Sequence, residues 1–155
     1  MPHEILATFT DLDAMAVDVT TGSGHQLRLE AAGDDGSGGG AGPKEAILAA
    51  LAACTSMDVA SILRKKRQRP TTYQITVSGD SATDYPRVFT RINVEHRVSG
   101  AVEPEALRRS IELSATRYCP VSAMLAASVR IEHRYQLERD GAAPRSELVV
   151  VTGPP

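Results

Sequence analysis

Hydrophobic and polar residues alternate over Ala14–Thr20 and again over His25–Glu30, with Thr21-Gly22-Ser23-Gly24 between them. That pattern predicts a β-hairpin in which Leu27 and Leu29 share a face. Alternation returns over Thr71–Ser78 (Tyr73, Ile75, Val77), over Val88–Val98 and over Val129–Leu137. Each predicts a strand, and in the second Val88, Thr90, Ile92, Val94, His96 and Val98 lie on one side. The stretch Lys44–Arg67 is different, being rich in alanine and leucine with no glycine or proline. Pro43 suits a first helical turn, Glu45 complements the dipole there, Arg64-Lys65-Lys66-Arg67 complements the other end, and Pro70 is a stop. The predicted helix is roughly 35 Å long. At 100° per residue Ile47, Leu48, Leu51, Val59 and Ile62 gather on one side, with Cys54 and Asp58 at its edge one turn apart. The opposite side carries Ala46, Ala49, Ala53 and Ala60, small enough to admit another backbone, so this is a central helix covered from two directions.

Pro104 opens a second helix flanked by Glu103 and Glu105, with Leu107, Ile111 and Leu113 as core positions, ending near Thr116-Arg117. Pro120 starts a short third helix through Ala127, which makes Cys119 its N-cap. The remainder, Asp140–Pro155, reads as a tail with a short strand at Leu148–Val151. The division expected is one α+β domain over 1–155: N-terminal strands (1–32), a glycine-rich loop (33–42), a core (43–139) and a tail (140–155).

Composition narrows the function classes. The 155 residues carry 17 basic and 19 acidic side chains, a formal net charge of -2, which exerts no pull on nucleic acid or an anionic membrane. No 18-residue apolar run is apparent, so no membrane span is expected. The N-terminus lacks a basic segment followed by an apolar one, so a cytoplasmic location is expected. The loop Gly33–Gly42 lacks both the Gly-Lys-Ser/Thr ending of a P-loop and a GxGxxG frame, which argues against nucleotide binding. Two cysteines cannot supply a four-ligand zinc site, and His3, His25, His96 and His133 show no ligand spacing beside either, so no metal is expected.

Cys54 and Cys119 are therefore either two buried apolar residues or a redox pair. Their settings differ. Cys119 sits at a predicted helix N-terminus, where the dipole and free N–H groups favour a thiolate. Cys54 is mid-helix, and an arginine would have to stabilise its thiolate; Arg117 and Arg28 are the candidates. Asp58, one turn on, could hold such an arginine or bond a backbone amide, but by itself it disfavours a neighbouring thiolate. Glu45 lies nine residues before Cys54, roughly 13.5 Å along a straight helix, too far to touch it.

The run Gly42-Pro43-Lys44-Glu45-Ala46-Ile47-Leu48-Ala49-Ala50-Leu51-Ala52-Ala53-Cys54-Thr55 resembles the first cysteine motif of the OsmC/Ohr family, and Tyr118-Cys119-Pro120-Val121-Ser122 resembles the second. Their 65-residue separation fits as well, and Cys54–Arg67 is most similar to the family's YhfA-like branch. The resemblance implies an intertwined homodimer, its long central helices back to back and wrapped by antiparallel sheets, with the active site at the interface. It implies that Cys54 attacks an organic hydroperoxide and becomes a sulfenic acid, that Cys119 resolves it as a disulfide, and that an external dithiol (a lipoyl protein or thioredoxin-like protein) restores both without a cofactor. In the peroxidases of the family a glutamate ten residues before the cysteine orients an activating arginine; here that position is Lys44, and the acid is Glu45. The substrate pocket expected from the sequence is Ile47, Leu51, Val121, Met124 and Leu125. The alternatives are a dimeric binding protein for a small hydrophobic ligand and a thiol redox sensor.

Overall fold

A computed structural model describes residues 3–31 and 38–155. Residues 32–37 of the glycine-rich loop lie outside the described residues. Contacts divide the chain into two units, Met1–Ile47 and Leu48–Pro155.

The first unit is a three-stranded antiparallel sheet, β1 (Ile5–Asp11), β2 (Ala16–Thr21) and β3 (Gln26–Glu30), in that order. The hairpin expected from the sequence is β2–β3. The Glu30 carboxylate is buried and accepts from the Arg28 guanidinium at 2.7 Å and from the Gly39 N–H at 2.6 Å, which ties the end of the glycine-rich loop to the strand. Glycine is required at position 40, because a Cβ there would sit 2.8 Å from the Arg28 carbonyl oxygen. Gly42 then leads into α1 (Pro43–Lys65), and its N–H donates to the Glu45 carboxylate at 2.8 Å, the return bond of a capping box.

The second unit carries a four-stranded sheet ordered β4 (Thr72–Ser81), β5 (Phe89–Ser99), β6 (Arg130–Glu138), β7 (Arg145–Thr152). Half of the stretch expected as a tail is β7, which contains the short strand expected at Leu148–Val151, extends it at both ends and pairs antiparallel to β6. The sheet is mixed rather than wholly antiparallel, because β5 and β6 run parallel. Parallel neighbours need a long crossover. Here it is α2 (Pro104–Leu113), a π-helical turn (Ser114–Tyr118) and α3 (Pro120–Ala126). The Cys119 N–H donates to the Ser114 carbonyl at 3.0 Å, closing the wide turn.

Along α1 the buried residues are Leu51, Thr55, Val59 and Leu63, one every fourth position. Val59 and Leu63 join Val98, Val102, Leu107, Ile111, Tyr135 and Leu137 in one core cluster; Leu51 joins Ile92, Val94, Cys119, Val129 and Ile131 in another. Contrary to the sequence expectation, α1 holds an 18-residue window apolar enough, by length and composition, to cross a bilayer, with a mean hydropathy of 1.9. Only 22% of that window is buried in the single chain, and Ala49, Ala53, Met57 and Ala60 are exposed. The alanine-lined side read from the sequence is thus an uncovered one.

Two fully buried histidines lie on adjacent strands of this core, His96 on β5 and His133 on β6, their rings 6.2 Å apart. His96 Nδ1 is hydrogen-bonded to the Tyr73 hydroxyl at 2.8 Å, whereas His96 Nε2 and both nitrogens of His133 bond no described group. Burial disfavours the imidazolium, pushing His133 down to about 4 and, with His133 beside it, His96 to about 3. Above the ordinary histidine pKa of about 6.5 folded and unfolded chains both hold neutral rings, and the stabilisation is complete. As pH falls from there through the folded values, the unfolded chain binds protons first and stability drains away, by on the order of several kcal/mol. Urea unfolding between pH 7 and about 4 is expected to show that loss. His133→Phe is expected to shallow the slope; an unchanged slope would remove this histidine from the acid response.

Candidate active site

Position four after Cys54 on a helix is Asp58, so both side chains leave α1 on the same face. Opposite them stands the π-helical turn and the start of α3. Three polar atoms converge there: Cys54 Sγ, an Asp58 carboxylate oxygen and Cys119 Sγ lie within 4.8 Å of one another. Both cysteines are free thiols; Cys54 is partly buried and Cys119 is 3% exposed.

The surrounding hydrogen bonds orient this triad. Cys119 is the N-cap of α3, as expected, and its sulfur accepts from the Ser122 N–H at 3.3 Å. It also accepts from the Thr55 hydroxyl at 3.7 Å. Thr55 is fully buried, and an unpaired hydroxyl there would cost roughly 1–3 kcal/mol, so the sulfur and the hydroxyl hold each other in place. The Ser114 hydroxyl, presented by the π-helical turn, donates to Asp58 Oδ2 at 3.1 Å. Sequence reasoning passed over Thr55, Ser114 and Ser122. Thr55 was findable, as the one polar residue in the every-fourth-residue ridge, and Ser122 as the position three after an N-cap. Ser114 carried no signal, because a π-helical turn has no periodicity to read.

The environment of Cys54 works against ionisation. Burial foremost, then contact with the Cys119 sulfur and the Asp58 charge, push its thiol up to about 11 against the opposing Val121 N–H. The other sequence candidates lie as follows. Arg28 is paired with Asp18 at 3.2 Å and with Glu30. Arg117 lies over the exposed Tyr118 ring, 5.5 Å from its centroid. Glu45 caps α1 at Gly42. Of the expected pocket, Leu51, Val121 and Leu125 pack in the cluster that contains both cysteines, while Ile47 and Met124 are exposed on the single chain.

Residues 34–134 match the family model of the OsmC-like proteins. The chain belongs to the OsmC-like family. Protein YhfA of Escherichia coli strain K12 is 36% identical over 118 residues, 74% of this chain and 84% of that one. The fold is shared with a protein from Aquifex aeolicus (TM-score 0.79, 24% identity, covering 90% of this chain and 98% of that one). It is shared also with an organic hydroperoxide resistance protein OsmC from Legionella pneumophila (TM-score 0.62, 17% identity, 90% and 96%). Within this OsmC-like fold the two cysteines of the sequence motifs are the two sulfurs that converge.

Because thiolate is the nucleophilic form, alkylation of Cys54 by iodoacetamide is expected to rise about tenfold per pH unit from pH 7 to 10. Asp58→Asn, by removing a negative charge, is expected to speed it by roughly several-fold at fixed pH. Peptide mass mapping of the Cys54 adduct measures both. A rate already at plateau near neutral pH would mean that a cation outside these contacts stabilises the thiolate.

Proposed function

We propose that this OsmC-like protein is a thiol peroxidase that reduces organic hydroperoxides in oxidative-stress defence. The observation that carries the reading is the approach of Cys54 Sγ and Cys119 Sγ to within 4.8 Å across an apolar cluster. In the proposed cycle the Cys54 thiolate attacks one oxygen of the O–O bond. The alcohol leaves with a proton from solvent, and Cys54 is left as a sulfenic acid. The Cys119 thiol condenses with it, water departs, and a Cys54–Cys119 disulfide forms. An external dithiol, lipoyl or thioredoxin-like, reduces that disulfide and is itself oxidised, which suits a reducing compartment such as the cytosol.

The working unit proposed is a homodimer. The apolar side of α1 and the side chains of Ile5, Leu6 and Phe9, between 50% and 66% exposed, need a cover. A second copy supplies one. Leu51, Val121 and Leu125 then form the apolar lining. Each Å² of apolar substrate they bury is worth about 25 cal/mol, so a cumyl group burying on the order of 100 Å² gains roughly 2–3 kcal/mol that hydrogen peroxide cannot.

The raised thiol of Cys54 favours a second reading, a dimeric binder of a small hydrophobic ligand or a redox sensor, with little turnover. Stopped-flow oxidation of the reduced protein separates them. Cumene hydroperoxide is expected to react roughly 30- to 150-fold faster than hydrogen peroxide. Cys54→Ser is expected to abolish consumption, and Cys119→Ser to allow one round that leaves a sulfenic acid. Equal rates for the two peroxides would remove the proposed selectivity, and negligible rates for both would favour the binder. In sedimentation at micromolar concentration a dimer is expected, and a folded monomer would overturn the assembly.

A further inference from the structure

Asp58 is poorly placed for peroxide chemistry, since a carboxylate beside two sulfurs opposes the thiolate that must form. A divalent cation reverses that logic, because three donors that repel one another when ionised become mutually compatible around it. We propose that Cys54 Sγ, Asp58 and Cys119 Sγ together form a zinc(II) site, with the fourth position left to water or an exogenous donor.

The donor set fits zinc in kind and in spacing. Two thiolates and a carboxylate suit zinc over magnesium or calcium, which take oxygen ligands. Zinc–sulfur bonds of about 2.3 Å in a tetrahedron place ligand atoms roughly 3.8 Å apart. The three atoms already lie within 4.8 Å of one another, so closure needs on the order of 1 Å of side-chain rotation. The outer contacts are those a ligand set requires. Ser114 holds Asp58 Oδ2 at 3.1 Å. Thr55 and the Ser122 N–H hold Cys119 Sγ at 3.7 and 3.3 Å. Such partners fix ligand orientation and raise affinity. Asp58 also lines an open pocket of about 360 Å³ with Ser61, Ile62, Lys65, Leu113 and Tyr118, so the carboxylate is reached from solvent. Binding forms two Zn–S bonds and one Zn–O bond, each thiol releases its proton to the buffer, and no group is oxidised or reduced.

The site does not depend on peroxide turnover, although it occupies the same sulfurs, so metal and peroxide exclude one another. The test uses cobalt(II) as probe on the reduced, full-length protein under anaerobic conditions. One cobalt per chain is expected, with tetrahedral visible bands and thiolate charge-transfer absorption that zinc displaces. Asp58→Asn is expected to weaken binding at least about tenfold, and Ser114→Ala by roughly 10- to 100-fold, the cost of an outer contact. In the unmodified protein, zinc but not magnesium is expected to protect both cysteines from iodoacetamide, a readout that needs no variant. Absence of the bands and of protection at saturating metal would overturn the site, even if the metal-free protein consumes cumene hydroperoxide. Unchanged affinity in folded Asp58→Asn would overturn it too.

Discussion

Leu51, Thr55, Val59 and Leu63 repeat every fourth residue along α1 and are fully buried, and this ridge fixes the rotation of the helix on the second unit's sheet. Cys54 and Asp58 precede Thr55 and Val59 by one position, so both emerge at the edge of the ridge. The parallel step from β5 to β6 requires a crossover, and that crossover brings the π-helical turn and the N-cap of α3 to the same edge. The convergence of two sulfurs and a carboxylate is thus a result of packing. Were α1 turned by one residue, about 100°, Thr55 would lose Cys119 and Asp58 would lose Ser114.

The site built this way holds two opposed tendencies. Nearness of the sulfurs favours disulfide formation once either is oxidised, whereas burial, the Cys119 sulfur and, least of the three, Asp58 disfavour ionisation of Cys54. A dication resolves the conflict for the reduced pair and oxidation resolves it for the disulfide, since in either state neither sulfur has to stand as an uncompensated thiolate. The Asp58 carboxylate, held by Ser114, opposes a neighbouring thiolate and is the third donor of the proposed metal site.

Much of this architecture was legible in the sequence because its signals were local. Pro43, Glu45 and the basic Arg64–Arg67 run mark α1; the Cys119-Pro120 step marks the N-cap of α3; the strict alternation from Ile92 to Val98 marks the central strand. What was not legible depended on pairing between distant segments. The direction of β6 beside β5 is set by the length and packing of the crossover, and periodicity does not report it. The sequence shows β7 only at Leu148–Val151 because Arg145-Ser146-Glu147 is polar, an edge-strand feature that only pairing with β6 identifies. The apolar span on α1 was missed because Thr55, Ser56 and Asp58 interrupt its runs without greatly lowering its mean. At the site, the two sulfurs were found through their motifs, but Thr55 and Ser114 act across 64 and 56 residues of sequence, where no local pattern reaches.

The central claim is that Cys54 and Cys119 of one chain act as a chemical pair. Its most direct test is peptide mapping after reduced, metal-free protein meets one equivalent of cumene hydroperoxide. The account predicts loss of both thiols together and a single intrachain Cys54–Cys119 disulfide. Oxidation of one cysteine with the other left free, or a disulfide linking two chains, would contradict it.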